Sequence, residues 1–92
     1  MADIIISEEI DGAAIDALGN HYELCRRRQL WNSADELQTE LQTARALIVR
    51  NQTCGTSSLL SGAPLLEIVA RAGVGLDNID VETASRLGIV VT

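Results

Sequence analysis

The chain has 92 residues, 47% of them apolar, and a net charge of −6 from seven Arg, no Lys and thirteen acidic residues. That balance argues against attachment to nucleic acid or to an anionic membrane surface, since both require a basic face. No apolar run reaches transmembrane length and no signal peptide precedes Asp3; Cys25 and Cys54 make no disulfide framework, and with one His they complete no metal site. The expectation is one cytoplasmic domain over residues 1–92, with a core of Ile, Leu, Val and Ala because Phe is absent and Tyr22 and Trp31 are the only aromatics.

Ile4–Ile6 is a continuous β-branched burst, as expected of a strand covered on both faces. Residues 7–18 set Ile10, Ala13, Ala14, Ala17 and Leu18 on one helical stripe, and Gly19 supplies a stop. In residues 21–25, Tyr22 and Leu24 alternate with Glu23, which predicts a half-exposed edge strand. Ser33-Ala-Asp-Glu36 is a capping-box pattern, with Leu37 and Leu41 following at a helical interval. Ala46–Val49 is the next buried strand. Residues 56–62 predict a short helix ended by Gly62 and by Pro64, which cannot continue it. Residues 68–70 read as a fourth strand. Asp80 is placed to cap a helix over residues 81–87 that buries Ala84 and Leu87 and stops at Gly88, and residues 89–91 form a fifth strand.

Strict β-α alternation implies an α/β fold with a parallel sheet and helices on both faces. With the second strand at an edge, the order 2-1-3-4-5 follows. Ligands of such sheets bind at the carboxyl ends of strands 1 and 3, where the winding reverses. Ser7, Arg50 and Asn51 wait there, with Arg71 to Gly75 beside them at strand 4. Two turns look ready for an anion: Arg71-Ala-Gly-Val-Gly75 and Val49-Arg-Asn-Gln-Thr53. Together they suggest a pocket for a small acid.

The individual residues carry competing readings. Gly73-x-Gly75 opens a dinucleotide fingerprint only weakly, because Asn78 stands at the third glycine position and no acidic residue follows about 20 positions on. A tight packing turn, or a carboxylate held by the N–H groups of Val74 and Gly75, are the other readings. Arg50 and Arg71 either grip a carboxylate or phosphate by paired hydrogen bonds or form a salt bridge to Asp77, Asp80 or Glu67. Arg26-Arg27-Arg28 reads as a solvated turn or an anion site. His21 has no nucleophile or acid beside it by motif, which argues against catalysis, and Cys54 near Arg50 reads as a spectator or a mildly activated thiol.

From Ala46 onward the chain resembles the D-isomer-specific 2-hydroxyacid dehydrogenase family, nearest its D-3-phosphoglycerate dehydrogenase branch. The matching residues are Leu47-Ile-Val-Arg-Asn-Gln-Thr53, Leu59-Leu60, Ala63-Pro-Leu65, Arg71-Ala-Gly-Val-Gly-Leu-Asp-Asn-Ile-Asp80, Ala84 and Gly88-Ile-Val-Val91. The resemblance implies a flavodoxin-like three-layer fold with a five-stranded parallel sheet, and a role in serine biosynthesis. It implies that the Ala72–Gly75 backbone (Ala72, Gly73, Val74 and Gly75) holds a substrate carboxylate, with Arg50, Asn51 and Arg71 around the acid or its phosphate. Hydride then passes between NAD and C2 of a small 2-hydroxy or 2-oxo acid. Cys54 departs from the Lys often found after the loop Thr in that family.

The family's nucleotide-binding domain, its catalytic Arg, Glu and His, and a late helix that returns to this domain would all lie outside the 92 residues. By this reading the chain has no catalytic residue and no NAD site of its own. It is expected to be inactive alone and to self-associate, as a homo-oligomer or otherwise, through the surface that helix would cover. The alternative is a stand-alone small-acid-binding or protein-interaction module of the same fold. Receiver and flavodoxin readings fit poorly: Arg50-Asn51 and the lack of Lys remove the first, and Glu8 and Glu9 would repel a flavin phosphate in the second.

Overall fold

The computed structural model describes residues 2–72 and 79–92. Its strands are β1 (Ile4–Ile6), β2 (Leu24–Arg26), β3 (Ala46–Val49), β4 (Ile68–Arg71) and β5 (Val90–Val91). Its helices are α1 (Ala13–Leu18), α2 (Ala34–Glu40), α3 (Ser57–Ser61) and α4 (Val81–Arg86), with a 3₁₀ turn at Leu30–Asn32 before α2. All strand pairs are parallel and the sheet order is β2-β1-β3-β4-β5, so the expected flavodoxin-like order is the one observed.

The crossover from β1 to β2 steps one way along the sheet, and the three later crossovers step the other way. Right-handed connections therefore put α1 on one face and α2, α3 and α4 on the opposite face. The core lies on the three-helix face. Ile5, Leu47, Val49 and Val69 pack there with Leu37 and Leu41 around α2, Leu59 and Leu60 of α3, and Ala84 of α4. Alternate strand residues point to the other face, where Ile4 and Ile6 are buried but Ala46, Ile48, Ile68 and Ala70 are only half-buried.

Helix ends follow local chemistry at most positions. The Thr56 side chain accepts from Leu59 N–H at 3.2 Å at the start of α3. The Asp80 carboxylate accepts from Thr83 N–H at 3.0 Å and from its hydroxyl at 2.9 Å at the start of α4. Gly88 ends α4 with φ +75, a left-handed conformation that lets Ile89 N–H donate to Ala84 C=O (2.8 Å) and Gly88 N–H to Ser85 C=O (3.2 Å).

Four details differ from expectation. Helix α1 begins at Ala13, after Gly12 at φ +149, and buries none of its residues; of the expected stripe Leu18 is half-buried, whereas Ala13, Ala14 and Ala17 are exposed and Ile15, off the stripe, is the other half-buried position. Residues 7–12 are not helical, and Glu8 among them reaches a distant turn, described below. The edge strand starts at Leu24, since His21 and Tyr22 close a turn onto Leu18 C=O at 3.0 Å each. Ser33 stands at the start of α2, but its side chain makes no capping bond; Glu36 instead pairs with Arg27 at 3.1 Å. Leu87 is 49% exposed rather than buried, because α4 ends one residue before it.

Candidate functional site

The carboxyl ends of β1 and β3 meet at the switch point of the sheet, and the group that fills it comes from the chain itself. Glu8 follows β1 and is only 4% exposed. Its Oε2 accepts from Arg50 N–H (2.7 Å), Thr53 N–H (3.0 Å) and the Thr53 hydroxyl (2.7 Å). Its Oε1 accepts from Asn51 N–H (3.0 Å) and Gln52 N–H (2.9 Å). The hydroxyls of Ser7 and Thr53, both fully buried, share a further bond of 2.7 Å.

The turn after β3 is thus an anion-binding nest, as its sequence suggested, but the anion is a resident carboxylate. Burial alone pushes the Glu8 carboxyl up. Hydrogen bonds from Arg50, Thr53 and Gln52 outweigh that effect and hold it below the ordinary 4.5. An incoming acid cannot use those four amides, so this turn can offer it only side chains.

A cleft of about 470 Å³ opens over this turn, lined by Glu8, Glu9, Arg28, Gln29, Trp31, Arg50, Asn51 and Gln52. Arg50, Asn51 and Gln52 are exposed there. Arg71 ends β4 in register with Val49, so Arg50 and Arg71 stand at the carboxyl ends of neighbouring strands. Arg71 Nε is buried and has no hydrogen-bond partner among the described residues. Glu67 pairs with Arg45 at 2.6 Å and Asp80 caps α4, so neither of these two acids answers Arg71.

Ala72 N–H donates to Val49 C=O at 2.9 Å and so extends the sheet ladder. The expected contributions of Gly73, Val74 and Gly75, and the alternative partner Asp77, lie outside the described residues. The far end of that loop is anchored: Ile79 bridges to Gly55, and Asp80 N–H donates to Gly55 C=O at 2.8 Å. A Cβ on Gly55 would lie 2.7 Å from Ile79 Cδ1, so a larger residue there would require the tip of the Ile79 side chain to shift.

Other candidates fall away from the site or into simple roles. Each arginine of the 26–28 run meets acids: Arg26 with Asp11 (3.0 Å) and Asp16 (3.2 Å), Arg27 with Glu36, and Arg28 with Glu9 at 2.9 Å. The exposed His21 precedes β2, at the amino edge of the sheet, opposite Arg50. A groove of about 290 Å³ at that edge, lined by residues including Tyr22, Ala46 and Ile68, contains none of the candidate site residues. Cys54 is exposed, with Sγ 3.9 Å from Gln52 C=O.

Residues 4–92 match the family of D-isomer specific 2-hydroxyacid dehydrogenases, over the part described as its catalytic domain. The chain belongs to this family. It is similar to the D-3-phosphoglycerate dehydrogenase of Mycobacterium tuberculosis, 39% identical over 88 residues that cover 96% of the chain and 16% of that protein. Among solved structures, the PH0520 protein of Pyrococcus horikoshii superposes with a TM-score of 0.84 at 26% identity, covering 100% of this chain and 27% of that one. The NAD⁺-bound 3-phosphoglycerate dehydrogenase of Entamoeba histolytica shares the fold, with a TM-score of 0.79 at 21% identity over 96% of this chain and 31% of that one.

The described residues do not fit NAD. The nest after β3, whose amides a pyrophosphate would need as donors, is filled by the Glu8 carboxylate. What this edge of the 2-hydroxyacid dehydrogenase domain can do is hold a small anion by guanidinium and amide side chains.

The sequence reading missed Glu8 as an anchor and Thr53 as its buried partner. A signal was present. Two acids follow one buried strand and a four-residue polar turn follows its neighbour, which is the pattern of a carboxylate meeting free amides across a sheet.

Proposed function

We propose that these residues form the substrate-binding part of an NAD-dependent oxidoreductase that moves hydride to or from C2 of a small 2-hydroxy acid, of the D-3-phosphoglycerate type. The observation that carries this reading is the pair Arg50 and Arg71 at the carboxyl ends of adjacent strands, with Arg71 Nε buried and unanswered among the described residues. Arg50, Asn51 and Arg71 grip the carboxylate or phosphate through side chains, and the backbone at 72–75 completes the acid site. A guanidinium matches either group with two parallel bonds. Serine biosynthesis is the pathway this substrate would imply.

NAD, the proton-transferring groups and hydride transfer belong, in this reading, to a separate nucleotide-binding domain. The 92 residues alone should therefore not oxidise NADH with any 2-oxo acid, and turnover by rigorously pure material would overturn the assignment. The half-covered α1 face of the sheet supports self-association of the isolated chain. Sedimentation velocity at high concentration checks it, and a compact monomer would count against it.

The test of the site uses the full-length protein with NADH and 3-phosphohydroxypyruvate. Arg50→Ala and Arg71→Ala should each raise KM about tenfold or more and change kcat less, as expected when a charged hydrogen bond to substrate is lost. Unchanged KM in both variants would remove the two arginines from substrate binding.

A further inference from the structure

We propose that Glu8 is a positioning residue: its carboxylate stands in for an external anion in the turn at residues 50–53 and so sets the place from which Arg50 and Asn51 reach the substrate. This rests on the reading of Arg50 and Asn51 as substrate-binding residues. The four amides of the turn find their acceptor outside its local sequence. Arg50, Asn51 and Gln52 are exposed, and their N–H groups would otherwise face water. All four consecutive amides instead converge on one carboxylate that is 42 to 45 residues away in sequence. The hydroxyl of Thr53 adds a fifth bond, and the Ser7 hydroxyl braces Thr53 in turn.

The arrangement requires a carboxylate of this length. Both oxygens accept at least two bonds, so a glutamine in the same place must turn its NH₂ toward two N–H donors whichever way the amide is flipped. Shortening the side chain to aspartate would withdraw both oxygens from the nest. Loss of the clasp frees the backbone on either side of Arg50, and a displacement of about 1 Å at a binding group is enough to cost up to a hundredfold in turnover efficiency.

The experiment uses the full-length protein and combines amide hydrogen exchange with steady-state kinetics on 3-phosphohydroxypyruvate and NADH. In Glu8→Gln, exchange at residues 50–53 should quicken while the β3 amides of Leu47 and Val49 keep their protection. KM should rise about tenfold, with kcat within about a factor of two, as for a lost ground-state contact. In an Arg50→Ala background the same substitution should add little further, because Glu8 acts through the turn that carries Arg50.

Unchanged exchange at residues 50–53 would show that Glu8 does not hold the turn. Faster exchange with unchanged KM, or an effect fully additive with Arg50→Ala, would show that holding the turn does not position the substrate residues. Each of these results overturns the proposal. Should Glu8→Gln fail to fold, the near-isosteric Thr53→Val decides: it removes one of the five bonds to Glu8 together with the Ser7 brace, leaves the four amide bonds, and should shift exchange and KM in the same direction by a smaller factor. Wild-type protein without dehydrogenase activity would overturn the functional reading itself, which separates that failure from an active enzyme indifferent to Glu8.

Discussion

The two faces of the sheet are built from neighbouring residues of the same strands, yet they reach different ends. On the three-helix face Leu47, Val49 and Val69 have no solvent exposure. On the α1 face Ile48, Ile68 and Ala70 stay half-buried and Val90 is 56% exposed. Composition does not separate them, since both carry branched apolar side chains. The difference lies in the cover: α2, α3 and α4 each bring buried residues to the sheet, whereas α1 brings none. A strand sequence that is apolar on both sides states that both faces are to be covered; it does not say by what.

The largest effect expected of this contrast comes from truncating neighbouring residues of β3. Leu47→Ala should cost about 3–4 kcal/mol, the range for a fully enclosed leucine, while Ile48→Ala in the 92-residue chain should cost about 1 kcal/mol because the site already meets solvent. Chemical denaturation measures both. Repeating Ile48→Ala in a chain that carries the proposed nucleotide-binding domain sharpens the comparison: a cost close to that of Leu47→Ala means that the α1 face is covered there, and an unchanged small cost means that it is not.

At the carboxyl edge, where the faces meet, Glu8→Gln should cost about 2–3 kcal/mol, the scale of hydrogen bonds to a charged group. The folded-state pKa of Glu8 is lowered, so its contribution is complete above its ordinary 4.5 and is lost as pH falls through the lower folded value. The stability gap between wild type and Glu8→Gln should therefore be constant from neutral pH down to about 5 and shrink in acid. Urea midpoints taken across that range check it, and a gap independent of pH would mean that the carboxylate charge is not what holds the turn.

The smallest effect is expected where α1 is attached. Arg26 ties the α1 side to β2 through Asp11, Asp16 and Ile10 C=O, at 3.0 to 3.2 Å, with largely exposed partners. Arg26→Ala should cost below about 1 kcal/mol, and less at high salt, because exposed ion pairs are screened. Exchange protection on the three-helix face should not change. A larger loss would mean that α1 is more firmly held than its exposure suggests.

Much of this architecture was legible in the chain. Ile4–Ile6 and Ala46–Val49 are strands at the expected residues, Asp80 caps α4, and Gly88 takes the left-handed conformation that ends α4. These signals are local: a β-branched run, a capping oxygen and a residue without Cβ act on backbone within a few positions. Where a side chain had a second suitor, local reading failed. Glu36 forms its bond with Arg27 rather than with the start of α2, and Leu87 lies beyond the helix that was to bury it.

The sequence by itself determined the strands, their order and the placing of Arg50 and Arg71 at one edge, because hydrophobic period and crossover handedness leave few alternatives. Only the tertiary structure decided what fills the turn after β3. A carboxylate can satisfy amides anywhere it can reach, and Glu8 reaches them only once β1 lies beside β3.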